Sequence, residues 1–466
     1  MSNQLNSTNG NSDAGGEFYQ KHQKIYPRKT KGLFTNLRKV TIWGLLGLFY
    51  LIPWLKWNGQ QLVLFDLPAR KFHILGMTFW PQDFFYLAVL LILAALLLFF
   101  VTALAGRVWC GYACPQTVWS QVFIWIEQWV EGDRPQQIKL DKLPWNNREK
   151  LGKKVIKHAL WLFFALWTGF TFVGFFVPVE QLWYELSSWN LSGWGLFWVL
   201  FYGFATYGNA GFLREQVCLY MCPYARFQSA MFDKDTMVIS YDEKRGEPRG
   251  ARKRNAEKPA DKGDCVNCTL CVQVCPTGID IRDGLQYQCI GCAMCIDACD
   301  SIMDKMGYER GLVKYTTEQA LQGGKTRILR PRTFIYAGLL LAIAGSMLFS
   351  LSQRVPLEID IIRDRNALYR DTGDGFIENI YTLKVINMTD EPHKFHITVS
   401  GIEGMQLVGA ENVLTNPGSV LELPVKVKAN PDLMKERSQE IHFHIESADL
   451  PELSQVEEAR FLGPKR

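Results

Sequence analysis

Residues 353–466 contain no cysteine, although the whole chain has twelve. Also absent are the dinucleotide fingerprint G-x-G-x-x-G, the P-loop, the zinc-protease motif H-E-x-x-H and any evident flavin-attachment segment. Histidine is scarce, with seven in all. None lies inside a long apolar stretch, His158 standing just before the third, which excludes a pair of membrane-buried haem ligands. Any redox chemistry would then draw its electrons from a carrier outside the chain: a quinol, a soluble reductase or another. Charge is missing in five places: Val40–Leu55, Phe84–Ala105, Ala159–Val179, Gly193–Leu213 and Thr333–Ser352 hold no Asp, Glu, Lys or Arg.

Those five stretches read as membrane spans. Four reach the roughly 20 apolar residues that a spanning helix needs. The first is shorter and is extended by Trp54 and Trp57 as interfacial anchors. Residues 1–20, rich in Asn, Ser and Gly, read as disordered, and no cleavage site follows the first stretch. Lys and Arg alternate between loops. Residues 1–39 carry seven, 58–83 two, 106–158 nine, 180–192 none and 214–332 nineteen. By the positive-inside rule the N-terminus, the second loop and the 214–332 segment are cytoplasmic, in a bacterial inner membrane. Residues 353–466 are then periplasmic, and the cysteines stay in the reducing compartment. The basic run Arg249, Arg252, Lys253, Arg254 reads as a linker near anionic lipid; no nucleic acid is expected.

The expected domains follow: a basic, disordered N-terminus (1–39); a transmembrane domain (40–232); a cytoplasmic linker and a module whose eight cysteines, in two C-x2-C-x2-C-x3-C runs, are an iron–sulfur pattern (233–332, core 260–304); a fifth helix (333–352); and a periplasmic domain of alternating apolar and polar residues (353–466). On those patterns the fold class is a multi-domain membrane protein: five transmembrane helices, an inserted α+β dicluster ferredoxin module, and an all-β immunoglobulin-like sandwich.

Eight cysteines form two tandem runs. Cys265, Cys268, Cys271 and Cys275 precede Pro276, and Cys289, Cys292, Cys295 and Cys299 follow. C-x2-C-x2-C-x3-C-P is the bacterial ferredoxin run, in which the fourth cysteine serves the other cluster. One 4Fe–4S cluster is therefore assigned to Cys265, Cys268, Cys271 and Cys299, and the second to Cys289, Cys292, Cys295 and Cys275. Zinc sites usually space two pairs further apart. Asp300 stands where a second proline is usual.

The other four cysteines form two C-x-x-x-C-P pairs, Cys110/Cys114-Pro115 and Cys218/Cys222-Pro223, each at the cytoplasmic end of an apolar stretch. Arg107 precedes one and Arg214 the other; Trp119 and Phe227 follow, with Ser and Gln beside them. This is a weak internal repeat whose copies run the same way across the bilayer. The spacing puts two thiols on one helical face, and the proline breaks or kinks the helix so that they can turn to a ligand. Thiolates favour Cu(I), zinc or iron–sulfur clusters, so the two pairs are expected to converge on one four-thiol metal or redox site. Buried small hydrophobes are the alternative. After the first pair, Val118, Val122, Ile126, Trp129 and Val130 recur at helical spacing, with Ser120, Gln121, Glu127 and Glu131 largely opposite. This is an amphipathic helix, lying on the membrane surface or packed in the cytoplasm.

The last segment alternates. Leu357-Ile359-Ile361, Tyr381-Leu383-Val385, Phe395-Ile397-Val399, Val420–Val427 and Ile441-Phe443-Ile445 read as strands of a small sandwich of some seven strands. His442 and His444 share one strand face, and His396 is expected across the sheet from them. A copper-binding face is one reading; ordinary solvent-facing positions are the other.

Taken together, this layout resembles the CcoG/RdxA/FixG family of cytochrome c oxidase accessory proteins over nearly the whole chain. The resemblance implies reduction of Cu(II) to Cu(I) for assembly of a cbb-type oxidase. The ferredoxin cysteines would relay electrons, and Cys110, Cys114, Cys218 and Cys222 would bind or reduce copper or hold a further redox centre. The cofactors implied are two 4Fe–4S clusters and copper. The partners are membrane lipid, oxidase assembly factors, copper transporters or chaperones and an unassigned electron donor, and a homodimer is compatible with this. Two other readings stay open: a quinol-dehydrogenase type of membrane conduit, and a non-enzymatic copper chaperone or scaffold.

Overall fold

The computed structural model describes residues 24–254, 259, 261–389, 391–409 and 412–464, so the tail read as disordered over residues 1–20 lies outside the described residues. Nine helices carry the argument: α1 (Leu33–Leu51), α2 (Phe84–Ala105), α3 (Val108–Tyr112), α4 (Pro115–Val130), α5 (Arg148–Val173), α6 (Gly193–Thr206), α7 (Pro223–Ala230), α8 (Met294–Met306) and α9 (Pro331–Ser352). Helices occur at all five apolar stretches. Three are long and apolar enough to cross a membrane: Pro81–Ala105, Arg148–Val173 and Pro331–Ser352. α1 is shorter and includes Arg38 and Lys39, and α6 runs 14 residues before passing into a π-helical turn, Tyr207–Leu213.

Helix ends follow local chemistry. Asp83 accepts from the Trp80 N–H at 2.9 Å ahead of α2. α2 stops at Gly106, whose φ of +55° suits glycine. A side chain there would also meet the Met237 carbonyl at 3.0 Å. α1 begins earlier than the apolar stretch because its first amides find a distant acceptor: Asp297 on α8 accepts from the Phe34 and Thr35 N–H groups at 3.2 and 2.6 Å. The basic segment expected as a loose tail through residue 39 is therefore ordered from Lys24 onward, with the Arg28 N–H on the Gln273 carbonyl at 2.8 Å.

The chain divides into two compact units that do not follow its linear order. The first joins residues through Leu46, Val101–Trp167 and Gly203–Ile328; the second joins Gly47–Phe100, Thr168–Tyr202 and Leu329 onward. In the first unit, strands Val238–Tyr241 and Val313–Thr316 pair antiparallel and flank the cysteine-rich module. Ile239, Tyr241, Ile296, Met303 and Leu312 form part of its core.

The second unit contains a sandwich of two antiparallel sheets. One has the order 406–408, 420–429, 377–387, 357–363, with 370–371 beside 377–387; the other has 412–415, 393–400, 438–447, 454–462. That makes nine strands among the described residues, against some seven expected; beyond the five segments named from the sequence stand 370–371, 406–408, 412–415 and Ser454–Leu462. Tyr381, Phe395, Phe443 and Phe461 fill the dry centre. Tyr381 packs edge-on to Phe443 with ring centroids 5.4 Å apart, and its hydroxyl donates to the Arg460 carbonyl at 3.0 Å. The 58–83 loop is itself a meander of Val63–Asp66, Lys71–Ile74 and Met77–Phe79. It is tied to the sandwich by Trp80 against Ile386 and Met388, and by Lys71 on the Gly418 carbonyl.

Candidate redox site

The two ferredoxin runs fold alike. In each, the residues flanking the second cysteine take left-handed conformations: Asn267 (φ +53°) and Thr269 (+57°) in one, Gly291 (+68°) and Ala293 (+61°) in the other. Paired positive-φ residues curl the backbone around a centre, pointing three sulfurs inward. The fourth comes from the other run. The Cys299 thiol feels Cys271, Cys268 and Cys265, whereas Cys275, Cys289 and Cys295 all feel Cys292. Cys265, Cys268, Cys271 and Cys299 line one small cavity. Burial, then the neighbouring sulfurs, push the Cys299 thiol up to about 12, and burial likewise raises Cys271 and Cys289 to about 12. Four sulfurs gathered around one cavity, with Cys265 and Cys271 buried, Cys299 half-buried and Cys268 exposed, are a donor set that fits a thiolate-bound iron–sulfur cluster. Asp300 in place of proline also has a reason. α8 continues to Met306, and Asp300 accepts from the Gly311 N–H at 3.0 Å, where proline would break the helix.

The four remaining cysteines converge. Cys110 lies within electrostatic reach of Cys114, Cys218 and Cys222, and Cys218 within reach of Cys114 and Cys222. Burial above all pushes both the Cys110 and Cys218 thiols up to about 12. The cysteines of a pair do not share one continuous helix face, as the spacing suggested. Cys110 sits in α3, while Cys114 is the extended residue before Pro115 opens α4. Cys218 sits in the π-helical turn Val217–Met221, and Cys222 precedes Pro223, which opens α7. Proline at the first helical position starts a new helix instead of kinking an old one.

The ferredoxin module is docked on the first pair. A side chain added at Gly111 would meet the Cys292 Cα and the Ile290 carbonyl at 2.9 Å each, so only glycine permits this approach. A side chain added at Gly291 would likewise meet the Arg107 backbone, at 3.0 Å. Arg107 donates to the Tyr287 carbonyl, Tyr112 to the Cys292 carbonyl at 3.3 Å and Tyr315 to the Gly291 carbonyl. Cys110 packs against the apolar group of Val274, Ile290, Cys292 and Met294. The run holding Cys289, Cys292 and Cys295 therefore adjoins the four-thiol site.

Comparison with known proteins is consistent with this arrangement. A family model described as 4Fe-4S dicluster domain matches residues 213–318, and one described as 4Fe-4S binding domain matches 87–132. A third, described as the IG-like fold at the C-terminal of FixG, matches 347–464. The nitrogen fixation protein FixG of Rhizobium meliloti is 38% identical over 425 residues, covering 83% of this chain and 81% of FixG. The chain belongs to the CcoG/RdxA/FixG family. Protein RdxB of Cereibacter sphaeroides is 39% identical over 420 residues, covering 87% of each chain. A FixG-related protein from Vibrio parahaemolyticus, known from a crystal structure, is 34% identical over 23% of this chain and 95% of its own, with a TM-score of 0.22. This FixG-family chain is accordingly an iron–sulfur protein of electron transfer, and its apolar helices indicate membrane association.

Several residues that hold this site together had no role assigned from the sequence, although Arg107, Arg214 and the Gln beside Phe227 belong to its repeat. Gln228 is fully buried; its carbonyl oxygen accepts from the Cys110 thiol at 3.4 Å, and its amide donates to the Gly106 carbonyl at 3.2 Å. Gln116 does the reciprocal work, donating to the Asn209 and Arg214 carbonyls at 2.9 and 3.1 Å. The two arginines also exchange partners. Arg107 donates to the Ala225 carbonyl on α7 at 2.6 Å, and Arg214 pairs with Glu127 on α4 at 2.8 Å. Each half of the repeat thus grips the helix that follows the other pair.

α4 is amphipathic, as its pattern suggested, but its polar side faces inward. Glu127 and Glu131 are 1% and 2% exposed, while Trp129 is 77% exposed. Lys24, Lys157 and Arg214 reach Glu127; Lys154 and Lys157 reach Glu131 at 2.9 Å each; Lys24 and Lys154 also bind Asp141. Burial alone would raise the Glu127 carboxyl, but Arg214, Lys24 and Lys157 outweigh it and hold it down to about 2.

The sandwich histidines do not gather. His393 is buried against Phe395, and His396 lies opposite Glu446 with its ring on Asn412 at 3.0 Å. His444 bonds Ser400 at 2.7 Å. Among the described residues only His442 stands with other ligand types, Glu440 and Glu458, and Arg460 reaches Glu440 at 3.5 Å. The expectation that His396 joins His442 and His444 is corrected by this register.

Proposed function

We propose that this protein is a cupric reductase of the inner membrane, passing single electrons to Cu(II) at a site made by Cys110, Cys114, Cys218 and Cys222. The observation that carries the reading is the convergence of those four thiols directly against the Cys289–Cys295 loop. The iron–sulfur clusters, when bound, supply low-potential electrons one at a time. The chain's own residues do the rest. Gly111 removes the side chain that would hold the module away, and Arg107 fixes the loop carbonyls. The thiols favour Cu(I) over Cu(II), which raises the potential of the copper they hold and favours its reduction. The Cu(I) product would go to assembly of a cbb-type oxidase through copper carriers. A quinol or soluble reductase would restore the electrons. Five crossings, with the cysteines cytoplasmic and residues 353–466 periplasmic, fit the Lys and Arg counts.

A second reading has a specific support: the match of a 4Fe-4S binding model to residues 87–132, which contain Cys110 and Cys114. In it the four thiols hold a third cluster. Iron analysis of anaerobically purified protein decides between them. The copper reading expects about eight irons per chain and the cluster reading about twelve. Dithionite-reduced protein, freed of excess reductant and given excess Cu(II), should form about two Cu(I) per chain in a bathocuproine assay, one electron from each cluster, and about two more after each round of re-reduction. Copper bound with no re-oxidation of the clusters would refute the enzyme and leave a chaperone.

A further inference from the structure

A cavity of about 220 Å³ opens beside the second cysteine loop, in the same compact unit. Among the described residues five cations line it, Arg28, Lys29, Lys31, Arg38 and Lys39, and no carboxylate does. Three of them are engaged. Arg38 donates to the Gly111 carbonyl at 3.0 Å, Arg28 to the Gln273 side chain at 3.3 Å and Lys29 to the Gln128 carbonyl at 3.4 Å. Lys31 and Lys39 are exposed, with no hydrogen bond or ion pair among the described residues. Two carboxylates bonded to segments that line it are turned to backbone amides, Asp297 to Phe34 and Thr35, and Asp133 to Lys29. An anion is the ligand this charge balance fits.

An independent feature says what kind of anion. From Lys39 the surface of α1 turns apolar: Leu37, Val40 and Trp43 are 50%, 69% and 65% exposed. Trp43 stacks on Trp125 at 5.9 Å between centroids, and Trp125 lines the cavity. A cationic recess continuous with a bare apolar helix face fits an amphiphile, whereas a free phosphate would leave that face unused. We propose that the cavity binds the phosphodiester headgroup of an anionic phospholipid, with its acyl chains along the Leu37–Val40–Trp43 face. Pro276 and Met294, next to Cys275 and Cys295, form part of the wall, so the bound headgroup lies against the second cluster's loop.

Native mass spectrometry of the detergent-solubilised full chain tests this, with phosphatidylglycerol and phosphatidylcholine of equal chain length. Phosphatidylglycerol should bind about tenfold more tightly, and Lys31→Gln with Lys39→Gln should abolish most of that preference. Lys305→Gln, on the exposed surface elsewhere, should leave it intact. Unchanged iron content and cluster absorbance in the double variant establish that it is folded. Equal affinity for the two lipids, or a preference that survives the double substitution, overturns the proposal. Displacement of the lipid by equimolar inorganic phosphate or glycerol 3-phosphate would also overturn it, because the site would then be one for free phosphate.

Discussion

The two C-x-x-x-C-P pairs are copies in sequence and unequal in structure. The first pair's leading cysteine sits in a regular turn of α-helix, flush against the ferredoxin loop, with its thiol bonded to Gln228. The second pair's leading cysteine lies in π-helical backbone, and the π-helical turn before it ends with the Arg214 N–H on the Asn209 carbonyl, five residues back; the second cysteines are alike, Cys114 on the Trp109 carbonyl and Cys222 on the Val217 carbonyl. Arg214 itself has a φ of +39°, a conformation that costs a non-glycine residue on the order of 1–3 kcal/mol. π-Helical turns and strained residues concentrate at functional sites, where the surrounding structure holds them. Cys218 also lines a cavity of about 30 Å³ with Gln116, Arg214 and Glu215, room enough for a water or a bare ion. The difference suggests a division of labour: a fixed pair that receives electrons and a second pair that meets the metal.

Separating the pairs by mutation gives the largest effect. Cys110→Ser should lower Cu(II) turnover on the order of a hundredfold, about 2.7 kcal/mol in the barrier, while both ferredoxin cluster signals persist in EPR. Cys222→Ser should mainly weaken copper binding, with electron delivery to saturating copper kept within a few fold. If the two variants lose the same parameter, the division of labour fails.

Next in size is the buried charge network that holds the second pair's Arg214. Glu127→Gln leaves Arg214, Lys157 and Lys24 without their shared carboxylate and should cost about 3–5 kcal/mol, read as a lower melting temperature. The wild-type carboxyl is depressed from 4.5 to about 2. Its contribution is therefore fully present above about pH 4.5 and is lost as the pH falls towards 2, whereas the Gln variant should lack that component of the acid slope. Close behind is Gly111→Val. It forces a side chain onto Cys292 and Ile290, at a cost of about 1–3 kcal/mol, and should slow re-oxidation of the reduced clusters by copper without changing the iron count.

Legibility in the sequence follows the range of the interactions. Sandwich strands were evident because Tyr381-Leu383-Val385 and Ile441-Phe443-Ile445 alternate with period two, a signal local to each segment. The ferredoxin ligands were evident because one loop carries three of them at fixed spacing. By contrast, the inward polar face of α4 depends on Lys24, Lys154, Lys157 and Arg214, which come from three other parts of the chain. Its pattern announced an amphipathic helix without saying which side was buried. Asp297 reads as one more charge on α8, yet it caps α1 from more than two hundred residues away. The strand of His396 pairs with that of His442 and His444, but His396 stands opposite Glu446, because a period of two fixes the face of a residue and not its partner, and register depends on the turns between strands.

The smallest expected effect bears most directly on the inequality of the pairs. Gln116 and Gln228 are reciprocal struts, each holding carbonyls ahead of the other pair, and losing either should cost about 1–1.5 kcal/mol. Only Gln228 also touches a thiol. Gln228→Leu should therefore change the alkylation rate of Cys110 in copper-free protein by a few fold and leave Cys218 alone, while Gln116→Leu should change neither thiol comparably. Equal shifts at both thiols in both variants would mean that the struts act only through global stability. The asymmetry between the pairs would then be one of backbone alone.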